Sequence, residues 1–314
     1  MGELVLKDDS YLVNKNNLTD LIGQFIESQD VKASSKSLYT RTIKQYFKWV
    51  ESNNLNLGKM SRPHIIAYKE DLFTQGKSSL SVGSYLTIVR KFYEWTEANK
   101  YYPNIAKGIK TPKRKQAFRK QPLTPEQATQ LLEYFKDKNP RDYAIVNLLL
   151  RAGLRTIELI NADIEDITFK QGKRVLIVQG KGEMEKNNFV ILTESAYKPI
   201  KDYLKSVSGV NTKNSPALFK CASNNNQGKR LTTRTISKIV KDGLIAIGLE
   251  DKSLTAHSLR HTLAVSILKA GGTLSDAQGV LRHANPATTQ IYTRAIEEEI
   301  RIRNAPEELI DRLY

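Results

Sequence analysis

The chain has 314 residues, 40% of them apolar, and a formal net charge of +16 at neutral pH. This length predicts two domains, and the apolar content is sufficient for packed cores. No run of about 18 apolar residues occurs, so a membrane-spanning helix is not expected. The first residues also lack the layout of a signal peptide. The positive charge favours a polyanionic partner, and nucleic acid is the best candidate.

The first 106 residues are predicted to form a helical domain. Apolar residues recur at helical spacing in four runs. The third run begins with Ser61 as N-cap and Pro63 in the first turn, and the fourth extends from Leu80 to Trp95. We interpret the aromatic residues as core packing. The basic residues between them are candidate DNA contacts, or an ordinary solvated face: Arg41, Lys44 and Arg90.

Residues 107–121 are predicted to be a basic linker between the two domains. Gly108 and Pro112 break any helix, and the segment from 107 to 120 contains no acidic residue. We hypothesise that it lies along a DNA backbone, and a plain solvated linker is the alternative. Its seven cations are Lys107, Lys110, Lys113, Arg114, Lys115, Arg119 and Lys120.

Residues 122–314 are predicted to form a mixed α+β domain, so the whole chain is mainly α with a small antiparallel sheet. Thr124 and Gln127 have the spacing of a capping box. An almost wholly apolar run, 143–151, predicts a buried central helix that ends at Gly153. Alternation predicts strands at 164–169, 174–178 and 188–192, with a hairpin loop at 180–187. Further helices are predicted at 195–206, 232–248, 297–303 and 307–314.

Reactive side chains concentrate near the end of this domain. Three of the four histidines of the chain lie there: His257, His261 and His283. His257 and Arg260 are three residues apart and share one helix face. Guanidinium binds phosphate, imidazole moves protons near neutral pH, and the phenol of Tyr292 can be a nucleophile. His257 and His261 could also pair on a metal, but no glutamate or cysteine ligand accompanies them. We interpret His261 as a packing or supporting residue.

Arg155 and Lys181 lie in two further short segments, A-G-L-R-T-I-E-L at 152–159 and G-K-G at 180–182. Together with H-S-L-R-H at 257–261 and L-R-H-A-N-P-A-T-T-Q-I-Y-T at 281–293, they make the sequence resemble the tyrosine site-specific recombinases, the family of phage integrases and Xer-type recombinases. The segment at 152–159 is similar to the first-arginine motif of the family, 257–261 matches its His-x-x-Arg motif, and 281–293 is similar to the segment that ends in the nucleophilic tyrosine. The resemblance covers residues 122–295, and the first domain fits the core-binding domain of the family.

The resemblance implies a covalent 3′-phosphotyrosyl intermediate, formed without ATP, metal or other cofactor. Tyr292 attacks phosphorus, Arg155 and Arg260 bind the non-bridging oxygens, and His257 is the candidate base. His283 contacts the phosphate, and Glu158 orients a neighbour. G-K-G at 180–182 favours Lys181 as the acid that protonates the leaving oxygen, with Lys186 as the alternative. Arg282 departs from the family, which has glycine there, and this cation either contacts DNA or has no role.

The expected partner is a double-stranded DNA recombination site, bound by four protomers with possible accessory proteins, in the cytoplasm at the nucleoid. The apolar residues after Tyr292 could dock into a neighbouring protomer or pack on their own chain. Two other functions are compatible with much of the sequence. One is a topoisomerase with the same chemistry, and the other is a non-catalytic architectural DNA-binding protein. The single cysteine, Cys221, is expected to be a half-buried apolar residue.

Overall fold

The structure is a computed structural model that describes residues 15–112, 121–180, 183, 185–207, 215–222, 227–282 and 296. The chain divides into two compact units, Met1–Ala117 and Phe118–Tyr314. Each unit has its own apolar core. Among the described helices, none has the length and apolar character needed to cross a bilayer.

The first unit is helical in its described part, as predicted. Its helices are α1 (Lys15–Ser28), α2 (Ala33–Ser52), α3 (Arg62–Thr74) and α4 (Ser79–Ala98), with a short 3₁₀ turn at Leu57–Lys59. Pro63 lies in the first turn of α3, after the N-cap Ser61. Proline suits this position because the first N–H groups of a helix have no intrahelical partner.

Aromatic side chains contribute to the core of the first unit beside aliphatic ones, which confirms their interpretation as packing residues. Phe25 on α1 meets Phe92 on α4 edge to face, with 5.3 Å between ring centroids. The hydroxyls of Tyr46 and Tyr93 are buried and lie 2.7 Å apart, so one phenol donates a hydrogen bond to the other. Burial raises the pKa of Tyr46 well above its ordinary value, so this hydroxyl stays protonated.

The second unit is organised around α6 (Pro140–Ala152), whose side chains from Ala144 to Leu150 are all buried. The predicted central helix is therefore confirmed. It ends at Gly153, which has φ +57° and hence the left-handed conformation that glycine adopts without strain. The remaining described helices are α5 (Pro125–Lys136), α7 (Thr156–Asn161), α8 (Glu194–Ser206), α9 (Thr233–Ala246), α10 (Ala256–Lys269) and α11 (Leu274–Leu281). The capping box of Thr124 and Gln127 is present at α5.

In the described part of the second unit, three antiparallel strands form one sheet in the order β1 (Ile167–Lys170), β2 (Lys173–Val178) and β3 (Asn188–Ile191). The predicted mainly-α fold class with a small antiparallel sheet is thus confirmed. The prediction of a strand from residue 164 was wrong, because Ile164–Asp166 form a 3₁₀ turn. The carboxylate of Asp166 accepts the N–H of Asp163 at 2.7 Å and closes this turn before the strand begins.

Candidate active site

The predicted site residues divide into those that the structure describes and those that it does not. Arg155, Glu158, His257, Arg260 and His261 are described. Lys181, His283 and Tyr292 lie outside the described residues. So do five cations of the basic linker: Lys113, Arg114, Lys115, Arg119 and Lys120.

Arg155 is placed by the junction between α6 and α7. Gly153 turns the chain, and Arg155 follows as the N-cap of α7 in an extended conformation. Glu158, one turn further on, accepts the main-chain N–H of Arg155 at 2.8 Å and its Nη1 at 2.6 Å. The Arg155 side chain remains 22% exposed, so it is held and still reachable.

Arg260 lies on α10 and its side chain is 0% exposed. Its two terminal nitrogens donate to the carbonyl groups of Gly153 and Leu281. These bonds tie α10 both to the end of α6 and to the end of α11. The second predicted phosphate-binding arginine is therefore also a structural tie in the core of its unit.

Arg282 is the residue whose role sequence reasoning missed. It caps α11 with φ +54°, a conformation that costs about 1–2 kcal/mol for a residue other than glycine. Its Nη2 donates to Glu158 Oε2 at 2.8 Å, and its Nη1 donates to the carbonyl of Val280 at 2.8 Å. The sequence marked Arg282 as unusual because the family has glycine at this position, but it did not reveal that Glu158 is its partner.

Glu158 therefore lies among three guanidinium groups. Besides Arg155 and Arg282, the Nη1 of Arg260 is 4.0 Å from Glu158 Oε2. Burial acts to raise the pKa of Glu158. The charge of Arg282, the Arg155 N–H and the charges of Arg155 and Arg260 outweigh it and hold the pKa below its ordinary value. Among the described residues, three positive charges thus face one negative charge, and the excess is suited to an anionic ligand.

His257 and His261 lie one turn apart on α10 and meet edge to face, with 4.4 Å between their ring centroids. His257 is exposed, whereas His261 is half-buried. Within the described part of the chain, no group of three histidine, cysteine or acidic side chains could hold a metal ion. His257 is three residues before Arg260, so the exposed imidazole is on the same face of α10 as this arginine.

A second charged cluster holds the base of the hairpin between β2 and β3. Lys186 Nζ lies 2.6 Å from Asp163 Oδ2 and 2.6 Å from Asp166 Oδ2. Arg230 Nη2 contacts the other oxygen of Asp163 at 2.5 Å. Burial acts to lower the pKa of Lys186, but its bonds to both carboxylates outweigh this and raise it. Lys186 is thus a firmly protonated anchor of the hairpin.

Replacing Lys186 by methionine is expected to lower the free energy of unfolding by about 2 kcal/mol at neutral pH, because two partly buried carboxylates lose their partner. Lys238→Met is the matched control. Its ion pair with Asp242 is solvent-exposed, so the loss should stay below about 0.5 kcal/mol. Urea denaturation measures both, and equal losses would contradict the anchoring role.

The pH dependence of this difference has a definite sign. Burial acts to raise the pKa of Asp163, but Lys186 and Arg230 outweigh it and hold the pKa below its ordinary value. The stabilisation is therefore complete above the ordinary aspartate pKa and is lost as the pH falls through the depressed value. Wild type and Lys186→Met should converge in acid.

The basic residues expected to contact DNA differ in their exposure. Arg41, Lys44, Lys107 and Lys110 are exposed. Arg90 is half-buried, borders an open groove of about 560 Å³ between α2 and α4, and donates to the carbonyl of Ile109. Ile109 is 3% exposed and belongs to the core of the first unit. The start of the expected linker therefore packs on this unit.

Comparison with known proteins identifies the family. Residues 121–299, more than half of the chain, match the model of the phage integrase family. A tyrosine recombinase of Pseudothermotoga lettingae is 30% identical over 266 residues, covering 83% of this chain and 87% of the relative. The tyrosine recombinase XerD of Proteus mirabilis is 27% identical over 303 residues, covering 91% and 93%.

Two solved structures share the fold. One is the XerH site-specific recombinase bound to palindromic difH substrate in a post-cleavage complex. It matches with a TM-score of 0.73 and 18% identity, covering 98% of this chain and 93% of that one. The other is a lambda integrase dimer bound to a COC′ core site, with a TM-score of 0.68, 17% identity and coverages of 88% and 76%.

The chain belongs to the phage integrase family. It is a tyrosine recombinase, an enzyme of site-specific DNA recombination, and the resemblance inferred from its motifs is confirmed.

Proposed function

We propose that this recombinase cleaves and rejoins DNA strands through a 3′-phosphotyrosyl bond to Tyr292. The observation that carries the proposal is the convergence of Arg155, Arg260 and Arg282 on the single carboxylate of Glu158. The cluster has an excess of positive charge among the described residues, and the exposed His257 shares the helix face of Arg260. A phosphodiester in transfer gathers negative charge on its non-bridging oxygens, and fixed guanidinium groups stabilise that charge.

The reaction balances within the DNA and the side chains. The phenolic oxygen of Tyr292 gives its proton to His257 and forms a bond to phosphorus. The bond from phosphorus to the 5′ oxygen breaks, and that oxygen takes a proton from Lys181. Attack by a 5′ hydroxyl on the phosphotyrosine reverses these steps and joins a strand. The phosphotyrosyl bond conserves the energy of the phosphodiester, and His283 adds a hydrogen bond to a non-bridging oxygen.

The two predicted phosphate-binding arginines differ in access. Arg155 is partly exposed and can meet a phosphate directly, whereas Arg260 is fully enclosed. Phosphate contact with Arg260 therefore requires its surroundings to shift when DNA binds. We propose that Arg155 binds the scissile phosphate first and that Arg260 joins it during assembly of the complex.

We propose that the substrate is a double-stranded recombination site, bound by four protomers with the exposed cations Arg41, Lys44, Lys107 and Lys110 on its backbone. The fold supports this, since it is shared with recombinases solved on DNA. In this structure Ile296 packs against Ala264, Val265 and Leu281 of its own chain. The other apolar residues after Tyr292 lie outside the described residues.

The test is a duplex selected by the protein from a random library, then nicked just 3′ of the cleavage position. The short fragment diffuses away after cleavage and traps the intermediate. Wild-type protein should become covalently attached to the 3′-phosphate end and release a free 5′ hydroxyl. Tight binding without any adduct would favour an architectural protein. An adduct accompanied by relaxation of supercoiled DNA, without exchange between two sites, would favour a topoisomerase.

Lys181→Ala should slow cleavage of the ordinary substrate by about 10²- to 10⁴-fold, the usual contribution of a general acid. A substrate with sulfur at the 5′ bridging position needs no proton to leave, so cleavage by Lys181→Ala should recover on it. Lys186→Met is the control, because Lys186 is engaged by Asp163 and Asp166. Recovery in Lys186→Met instead of Lys181→Ala would reassign the acid.

A further inference from the structure

Arg282 combines two features that are unfavourable in isolation. Its backbone has φ +54°, a conformation that favours glycine. Its charged side chain is only 9% exposed, which removes a cation from water. A residue of this kind persists when a specific contact compensates, and the buried carboxylate of Glu158 at 2.8 Å is that contact.

The two oxygens of Glu158 have separate partners. Oε1 accepts from Arg155 Nη1 at 2.6 Å, while Oε2 accepts from Arg282 at 2.8 Å and from the Arg155 N–H at 2.8 Å. Arg282 thus occupies the side of the carboxylate that a second nitrogen of Arg155 would otherwise take. The other terminal nitrogen of Arg155 lies 3.5 Å from the carbonyl of Arg282, a weak contact that a phosphate can replace.

We propose that Arg282 is a positioning residue for strand transfer, which fixes the Glu158 carboxylate so that Arg155 presents one edge of its guanidinium to the scissile phosphate. The proposal rests on the strand-cleavage function proposed above. Arg282 acts through Glu158 and Arg155 and makes no contact with DNA itself.

The charges around Glu158 make this role sensitive to pH. The groups that face it are Arg155 before α7, Arg260 on α10 and Arg282 after α11. Burial pushes the pKa of Glu158 upward, and the charge of Arg282 is the largest influence that opposes it. Removing that charge moves the pKa of Glu158 upward. Protonated Glu158 no longer attracts Arg155. As the pH is lowered, a variant without the Arg282 charge should therefore lose cleavage at a higher pH than wild type does.

Three substitutions separate charge from backbone. Arg282→Gln removes the charge, Arg282→Lys keeps it, and Arg282→Gly removes it while relieving the positive φ. Single-turnover cleavage of the selected nicked duplex should fall about 10- to 100-fold in the Gln and Gly variants, because misplacing a catalytic group by about 1 Å can cost on the order of 10²-fold in rate. The Lys variant should recover part of the rate. The melting temperature of Arg282→Gly should be higher than that of Arg282→Gln, because glycine adopts the positive φ of this position without strain.

Cleavage rates measured across pH complete the test. The acid limb should move to higher pH in Arg282→Gln, and the same substitution in a Glu158→Gln background should cause no such movement. Wild-type rate and acid limb in Arg282→Gln would overturn the proposal while leaving the proposed function intact. No adduct with wild-type protein would overturn both.

The salt dependence of DNA binding tests the alternative of direct phosphate contact. The Nε of Arg282 has no hydrogen-bond partner within the described residues, so this alternative has a structural basis. The plot of log K against log salt has a negative slope, and losing one phosphate contact reduces the magnitude of this slope by about 0.9. The positioning role predicts the same slope in wild type and Arg282→Gln, and a slope of smaller magnitude in the variant would overturn it.

Discussion

Replacing Tyr292 by phenylalanine is expected to abolish the covalent protein–DNA adduct on the nicked substrate while leaving DNA affinity unchanged. The substitution removes one hydroxyl and keeps the ring, so packing and phosphate contacts are retained. Loss of a covalent nucleophile lowers turnover by a factor on the order of 10⁴ or more, because no other group substitutes for it. Denaturing gel electrophoresis of end-labelled DNA measures the adduct, and filter binding measures affinity.

The matched control is Tyr197→Phe. The Tyr197 ring lies under the guanidinium of Arg174, with 3.8 Å from its centre to the ring centroid. Phenylalanine preserves this stacking, so the control should form the adduct at the wild-type rate. An adduct that persists in Tyr292→Phe would show that another residue attacks phosphorus. Loss of DNA binding in Tyr292→Phe would show that the hydroxyl serves the complex before chemistry.

The features that were predictable from the sequence are those encoded within a few residues. The capping box of Thr124 and Gln127 spans one helical turn. Gly153 ends α6 because its positive φ suits glycine, and the apolar run before it matches the burial of the helix. The pairing of Arg155 with Glu158 is likewise local, at three residues apart. Such patterns depend on backbone geometry and on the helical period, and both are visible in the spacing of neighbouring residues in the sequence.

The features that were not predictable depend on side chains distant in the chain. Arg282 and Glu158 are separated by 124 positions, and Lys186 and Asp163 by 23. Motif spacing gives the order of such residues but no direction for their side chains. The strand expected at 164–169 was misassigned for a related reason: alternation alone could not reveal that Asp166 would close a turn on Asp163. The burial of Ile109, at the start of the expected linker, depends on a core assembled from separate helices.

Arg260→Ala is expected to lose both stability and activity, whereas Arg155→Ala should lose mainly activity. Arg260 is 0% exposed and joins the carbonyls of Gly153 and Leu281 beside Glu158. Its removal leaves two buried carbonyl groups without their donor and takes one positive charge away from the buried carboxylate of Glu158. Breaking a buried charged contact in this way costs about 3–5 kcal/mol. Arg155 is 22% exposed, so water can replace part of its contacts with the protein.

Both substitutions should reduce the single-turnover cleavage rate per folded molecule by about 10²- to 10³-fold, because each removes a donor to the developing negative charge. Urea denaturation gives the folded fraction, and the cleavage rate is divided by it. Arg260→Lys serves as the intermediate variant, since it keeps the charge but cannot reach both carbonyls with a planar fork. It should be more stable than Arg260→Ala and remain impaired in cleavage. Wild-type cleavage per folded molecule in Arg260→Ala would show that this arginine serves the core alone, and the phosphate would then be bound by Arg155 without it.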